Sequence, residues 1–317
     1  MNILLPKTIN AASFGPGTTI PEVDASRGEV LWVSGISYVV GDRRVWEGYT
    51  HECVLAVSGA PANTYPPGSA NASKYWKRDE GAPTNRMAPF DKYLFTKARA
   101  VHSLTYELKG VFVDGVVLYG VEGDVLEIAV TGGPGGPNLI DPLSMDLWQQ
   151  AYGEAEYLFG DLQRGTHYTL KGIPIHPDQR ITITVRRNNA DVEAAVGYIS
   201  IGNQKTLLDP TGTISAVEDG AEVETKDYGY TEDKPDGTYE DVEGRKAKNI
   251  TVSCVVRADQ APLVDSLLTQ IAGKVVAIEV SNMAKFSHIA TVGKVTGRVR
   301  SSGGQTARAE IQVKGNV

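Results

Sequence analysis

The sequence predicts a mainly β chain built from a small aromatic-rich β module, a β-sandwich or jelly roll, and a C-terminal α+β unit with one helix. Three observations carry this. Short runs of β-branched and aromatic residues recur from Leu31 to Val313, broken by Gly, Pro, Asn and Asp. Sustained helical periodicity is confined to residues 260–271. The 317 residues, 41% hydrophobic and 22% charged, suffice for a buried core and for two ordinary domains or three small ones.

Residues 1–30 are rich in Gly, Pro, Thr and Ala without a sustained period, and are expected to form an extended N-terminal arm. Residues 31–92 read as the small β module with a long loop. Its short hairpins are marked by Gly35, Gly41-Asp42 and Glu47-Gly48, and its loop by Pro61, Pro66, Pro67, Pro83 and Pro89. Residues 93–201 read as the sandwich. Across 101–113, His102, Leu104, Tyr106 and Leu108 alternate with Val101, Ser103, Thr105 and Glu107; Gly110 ends the run or marks a bulge, and Asp114-Gly115 signals a hairpin. Further strands are expected at 125–130, 156–159, 168–172, 180–187 and 194–201.

Residues 202–317 form the α+β unit, opening with an acidic loop at 218–243. A strand is expected at 249–257. Asp259 is placed to cap a helix over 260–271, with Pro262 in its first turn, Leu263, Leu267, Leu268 and Ile271 on one face, and Gly273 at its end. Strands at 275–280, 289–300 and 306–313 follow, the last two joined by a turn at 301–304.

Charge and composition exclude several function classes. The net charge of −7 argues against general nucleic-acid binding. The acid is concentrated: residues 218–243 hold eleven carboxylates and two lysines, a net −9 in 26 residues, which leaves the rest of the chain at +2. Two cysteines, Cys53 and Cys254, give neither a disulfide framework nor a cysteine-rich zinc site. The five histidines are scattered without metal-ligand spacing, so no metal and no cofactor is expected. The Gly132–Pro137 run lacks the Lys-Ser/Thr of a phosphate loop, and no GxSxG elbow occurs. The carboxylates of the acidic tract lack apolar neighbours to raise a pKa, so no catalytic pair is assigned and the chain is not expected to be an enzyme. No apolar run reaches the roughly 18–20 residues of a membrane span. The first residues lack the basic and long apolar stretches of a secretory signal, so synthesis and assembly in a reducing cytoplasm are expected.

The order Trp32, Tyr38, Gly41-Asp42, Val45-Trp46, Gly48-Tyr49, Cys53, Pro66-Pro67 and Trp76 resembles the small chitin- and cellulose-binding modules of bacterial chitinases. It departs from them in that Tyr49 follows Gly48 directly and the stretch from Cys53 to Trp76 is long. The resemblance implies a glycan surface of exposed rings. Trp46 and Tyr49, which flank the Glu47-Gly48 turn, are the glycan-binding candidates; Trp32, Tyr38 and Trp76 are the structural aromatics of the small core.

A second resemblance spans most of the chain after residue 30. The phrases at 84–91 (Thr-Asn-Arg-Met-Ala-Pro-Phe-Asp), 197–202 (Gly-Tyr-Ile-Ser-Ile-Gly), 207–212 (Leu-Leu-Asp-Pro-Thr-Gly), 226–229 (Lys-Asp-Tyr-Gly) and 245–248 (Arg-Lys-Ala-Lys) succeed one another as in structural proteins of tailed-bacteriophage virions. The terminal unit is similar to the split barrel with one helix that builds tail tubes and distal tail rings. The resemblance implies a tail-tip or baseplate component in the virion, partnered by other tail proteins, by itself as a symmetric oligomer and by host surface glycan; from charge and hydropathy, no nucleic-acid partner and no membrane insertion are expected. A free carbohydrate-binding or glycoside-hydrolase accessory protein is the alternative, and a purely architectural protein a third.

Overall fold

The computed structural model describes residues 1–317 apart from 110–111, 149–152, 161–163, 209–216, 219, 282–288, 302–303 and 317. The protein is mainly β, 48% strand and 12% helical, with one helix of seven residues or more among the described residues. It divides into two compact units, one of residues 8–200 and one of residues 1–7 together with 201–317.

The first departure from the sequence expectation comes at once. Asn2–Pro6 is a strand, β1, and not part of an arm. Met1, Ile3 and Leu4 are 1%, 0% and 2% exposed. A short apolar run buried on both faces has neither helical period nor strand alternation, so the Gly- and Pro-rich residues after it dominate the reading of 1–30. The rest of that segment is docked as well. Gly15 and Thr19 donate their N–H groups to the carbonyls of Glu107 and Thr105 at 2.7 and 2.9 Å, and Phe14 and Ile20 are buried.

In the unit of residues 8–200, β2 (Arg43–Trp46), β3 (Tyr49–Cys53) and β4 (Trp76–Pro83) form a three-stranded antiparallel sheet in that order. Trp32, Tyr38, Cys53, Val57, Ala72 and Trp76 make its core. The chain continues through β5 (Ala98–Val101), β6 (Ser103–Lys109), β7 (Gly115–Tyr119), β8 (Val125–Thr131), β9 (Leu143–Asp146), a short helix α1 (Glu154–Phe159), β10 (His167–Lys171), β11 (Arg180–Arg186) and β12 (Glu193–Val196). Strands β6, β11, β8 and β9 form one sheet in that order, β5 pairs with β12, and β7 pairs with β10. On β6, β8 and β11 alternate residues are buried, among them Leu104, Tyr106, Leu108, Leu126, Ile128, Ile181 and Ile183.

The structure departs from the sequence expectation at three points in this unit. The run 101–113 is two strands in two sheets, because His102 adopts a left-handed φ of 65° and breaks it. Asp114-Gly115 is no hairpin: β6 pairs with β11 and β7 with β10, and the Gln179 side chain bonds both the N–H and the carbonyl of Val113 at 3.2 and 3.1 Å. Residues 156–159 lie in α1, where Glu, Ala and Leu favour helix over strand. Gly110 lies outside the described residues.

Asp91 gives this unit a pH signature. Its carboxylate accepts from the Tyr93 N–H at 2.7 Å and the Thr96 hydroxyl at 2.9 Å, yet burial pushes its pKa up to about 6. A folded pKa above the unfolded value means a contribution that is complete below the ordinary carboxylate pKa and lost as pH rises through about 6. Denaturant midpoints followed from acid to neutral pH should fall across that window, and Asp91→Asn should flatten the fall. An identical slope in the variant would assign the effect elsewhere.

Strand β13 (Tyr198–Thr206) carries the chain into the second unit. There follow β14 (Glu222–Asp227), β15 (Tyr230–Asp233), β16 (Tyr239–Val242), β17 (Lys246–Arg257), α2 (Ala261–Ile271), β18 (Val275–Glu279), β19 (Ala290–Ser301) and β20 (Thr306–Gly315). The order β13-β1-β18-β19-β20-β17-β14 makes a curled antiparallel half-barrel sheet. Helix α2 buries Val264, Leu267, Leu268 and Ile271 in a core shared with Ile250, Val252, Ile278, Ile311 and Val313. Gly297 permits the close approach, since a Cβ there would lie 3.0 Å from the Leu268 methyls.

Three of the four residues expected on the packed face of the helix, Leu267, Leu268 and Ile271, are buried. A 3-10 turn over Ala258–Gln260 precedes the helix; the fourth buried place is taken by Val264, and Leu263 is 71% exposed. Asp259 makes no cap; its carboxylate pairs with the Arg257 guanidinium at 3.1 and 2.6 Å. The tract 218–243 is largely strand: β14 pairs with β17, and β15 and β16 form a hairpin turning at 234–238. Asp219 and residues 302–303 of the expected turn lie outside the described residues. Among the described residues, no helix is long and apolar enough to cross a membrane.

Candidate functional site

Strand register builds the site. Glu47 and Gly48 have φ of 49° and 79°, both left-handed, as a two-residue hairpin turn of type I′ requires. Trp46 and Tyr49 are therefore directly opposite, with their rings on one side of the sheet. Alternation along β3 puts His51 and Cys53 on that same side, and their partners on β4 are Arg78 and Trp76. Trp46, Tyr49, His51, Trp76 and Arg78, together with the Pro67–Ser69 segment, line a cleft of about 500 Å³, while Cys53 is fully buried in the core.

The turn is held from behind by the phrase at 84–91. The Thr84 hydroxyl, fully buried, donates to the Gly48 carbonyl at 2.8 Å. Met87 packs so closely that a Cβ on Gly48 would lie 2.8 Å from its Cγ. Asn85 donates to Asp24 at 2.8 Å and to the Arg99 carbonyl at 2.9 Å, and accepts from the Arg99 N–H at 2.9 Å. The Tyr106 hydroxyl donates to the Arg86 carbonyl at 2.9 Å. The Trp46–Tyr49 hairpin is thus anchored to β5 and β6 by buried polar bonds, each worth on the order of 1 kcal/mol net and more when left half-made.

Trp32, Tyr38 and Trp76 are 7%, 3% and 4% exposed. Tyr38 meets Trp76 edge-on at 5.1 Å, and its hydroxyl both donates to the Val33 carbonyl and accepts from the Val33 N–H. Trp46 and Tyr49 are half-buried. Trp46 is edge-on to Trp32 at 5.2 Å, which fixes its ring while one part still lines the cleft. The Arg78 guanidinium lies 3.4 Å from the Tyr49 ring centre, so it covers one face of that ring.

The sequence reading did not single out His51, Ser69 or Arg78 as site residues. His51 is 5% exposed; its Nδ1–H donates to the Tyr49 carbonyl at 3.1 Å, and burial holds its pKa below the ordinary imidazole value. With Nδ1 as the donor, Nε2 is the acceptor when the ring is neutral. The Ser69 hydroxyl oxygen is buried and has no hydrogen-bond partner among the described residues. The arrangement offers aromatic surface beside convergent polar groups, the composition of a small-ligand site. Alternation along β3 together with the register of β4 was the signal that locates His51 and Arg78; nothing local marks Ser69.

Among the described residues, the other histidines do not line this cleft. His167 stacks on Tyr119, His176 accepts from the Asp178 N–H, His102 sits at the β5–β6 break, and His288 is outside the described residues. Cys53 and Cys254 are buried free thiols, and burial pushes the Cys254 thiol up to about 11. Among the described residues, no three His, Cys, Asp or Glu side chains gather as a metal site. Compared with models of known protein families, with curated proteins and with solved structures, the chain matches none.

Proposed function

We propose that this chain is a non-enzymatic structural protein of a bacteriophage tail tip or baseplate, assembling through the unit that contains residues 201–317 and displaying the Trp46–Tyr49 cleft to host surface glycans. The observation that carries the glycan part is the register that sets Trp46, Tyr49, His51 and Arg78 on one side of an anchored hairpin. Ring faces suit sugar C–H surfaces, and the adjacent imidazole, hydroxyl and guanidinium suit sugar hydroxyls. Many copies on one particle raise the effective concentration, so a weak site suffices. The assembly part is supported by the succession of short virion-like phrases and by a curled antiparallel sheet backed by one helix. In this reading residues 93–201 are a jelly roll of carbohydrate-binding type and the terminal unit a tail-tube-like split barrel, by analogy of fold.

Trp46→Ala in the full chain is expected to cut retention on insoluble polysaccharide or host envelope by roughly tenfold, the equivalent of about 1.4 kcal/mol. Retention equal to that of the unaltered chain would remove the glycan site. Purified particles probed by mass spectrometry and by labelled electron microscopy should show the chain at the tail; its absence would overturn the assembly role.

A further inference from the structure

We propose that the β15–β16 hairpin of one copy docks on the exposed face of β20 and β19 in a second copy. Every residue of both hairpin strands is exposed, and among the described residues no third strand flanks them. Such a two-stranded ribbon is at best marginally stable alone in water. Glu232 and Glu240 stand directly opposite, a like-charge pairing that works against the ribbon, and one cation, Lys234, reaches Glu240 at 2.7 Å. Tyr230 and Tyr239, 61% and 68% exposed, project from this acidic ribbon.

The opposite chemistry lies elsewhere in the same unit. One face of β19 and β20 packs on α2; the other exposes Lys294, Arg298, Arg300, Arg308 and Lys314. Lys294 is directly opposite Lys314, and Arg300 is directly opposite Arg308. Against these five cations, two carboxylates reach the described residues of that face: Glu310 pairs with Arg298 and Arg300, and Glu218 with Arg308 at 2.7 Å. Two like-charged pairs in one ladder carry the same kind of cost as Glu232 and Glu240, with reversed sign.

Both surfaces are exposed in one protomer, so the hairpin does not cover its own cationic face. A second copy supplies each with what it lacks: carboxylates for paired guanidinium and ammonium groups, and guanidinium planes for the tyrosine rings. Tyr and Arg are also the side chains that anchor interfaces best. The two patches differ, so the contact is head-to-tail and generates a ring or a filament. The inference rests on the reading of this unit as the assembling one and names the contact it uses.

The test is a charge swap in the full chain, read by sedimentation. The unaltered protein should self-associate at low ionic strength and dissociate as salt rises. The variant Glu232→Lys with Glu240→Lys should be monomeric, as should Arg300→Glu with Arg308→Glu. An equimolar mixture of the two should associate again, because each hairpin then meets a face of opposite charge. If Arg300→Glu with Arg308→Glu fails to fold, Lys294→Glu with Lys314→Glu probes the same face. A monomeric unaltered protein, a variant that associates normally, or a mixture that stays monomeric would each overturn the contact. Self-association by this route in a chain missing from particles would defeat the tail reading and leave the contact standing.

Discussion

Ile3→Asp is expected to abolish the folded state of the unit formed by residues 1–7 and 201–317. Ile3 is 0% exposed, pairs with Lys205 on one side and Ile278 on the other, and belongs to the core that α2 closes. Truncating such a side chain costs about 2–5 kcal/mol. A buried carboxylate without a partner adds several more, against a total stability of about 5–15 kcal/mol. The four tryptophans all lie between residues 32 and 148, so their fluorescence reports on the other unit alone. Circular dichroism should therefore show lost strand signal while tryptophan emission stays native-like. Ile3→Val should cost about 1 kcal/mol. If Ile3→Asp proves neutral, residues 1–7 behave as the loose arm that their surrounding composition suggests.

Trp76→Ala is expected to unfold the module around the cleft. Trp76 is 4% exposed and one of six residues in a core too small to absorb the loss. The cost should be about 3–5 kcal/mol, read as rapid proteolysis within residues 54–75 and loss of near-ultraviolet dichroism. Trp46→Ala should cost less, about 1 kcal/mol, since its ring is half-buried and packs at the margin of that core, edge-on to Trp32. Comparable losses from both substitutions would make Trp46 a core residue and leave the cleft without its ligand platform.

What the sequence made legible was local. Glu47-Gly48 announced a two-residue turn because only its own left-handed backbone is at issue, and from that turn Trp46 and Tyr49 followed. The helix near residue 265 and most of its buried face, Leu267, Leu268 and Ile271, were visible in the spacing; which of the adjacent apolar residues Leu263 and Val264 completes that face was not. The run 101–113 kept its apolar alternation across His102, so the break into two sheets left no trace in the pattern. His51 and Arg78 became neighbours through the pairing of β3 with β4, strands separated by a long loop. Ser69 joins them from within that loop, where no period exists to follow.

The placement of β1 between β13 and β18 has a consequence for how the chain is made. Residues 2–6 leave the ribosome long before their partners at 202–206 and 277–279 exist. Until then Ile3, Leu4 and Leu5 are an apolar strand without neighbours, the kind of segment that chaperones bind and aggregates recruit. The nested residues 8–200 can meanwhile complete their own fold, and a compact insert leaves far less loop entropy to lose than a flexible one of equal length. Its return is marked by the Lys7 N–H donating to the Ile201 carbonyl at 2.8 Å. Biogenesis thus runs inside-out, and a lesion that slows the nested unit delays maturation of the surrounding one.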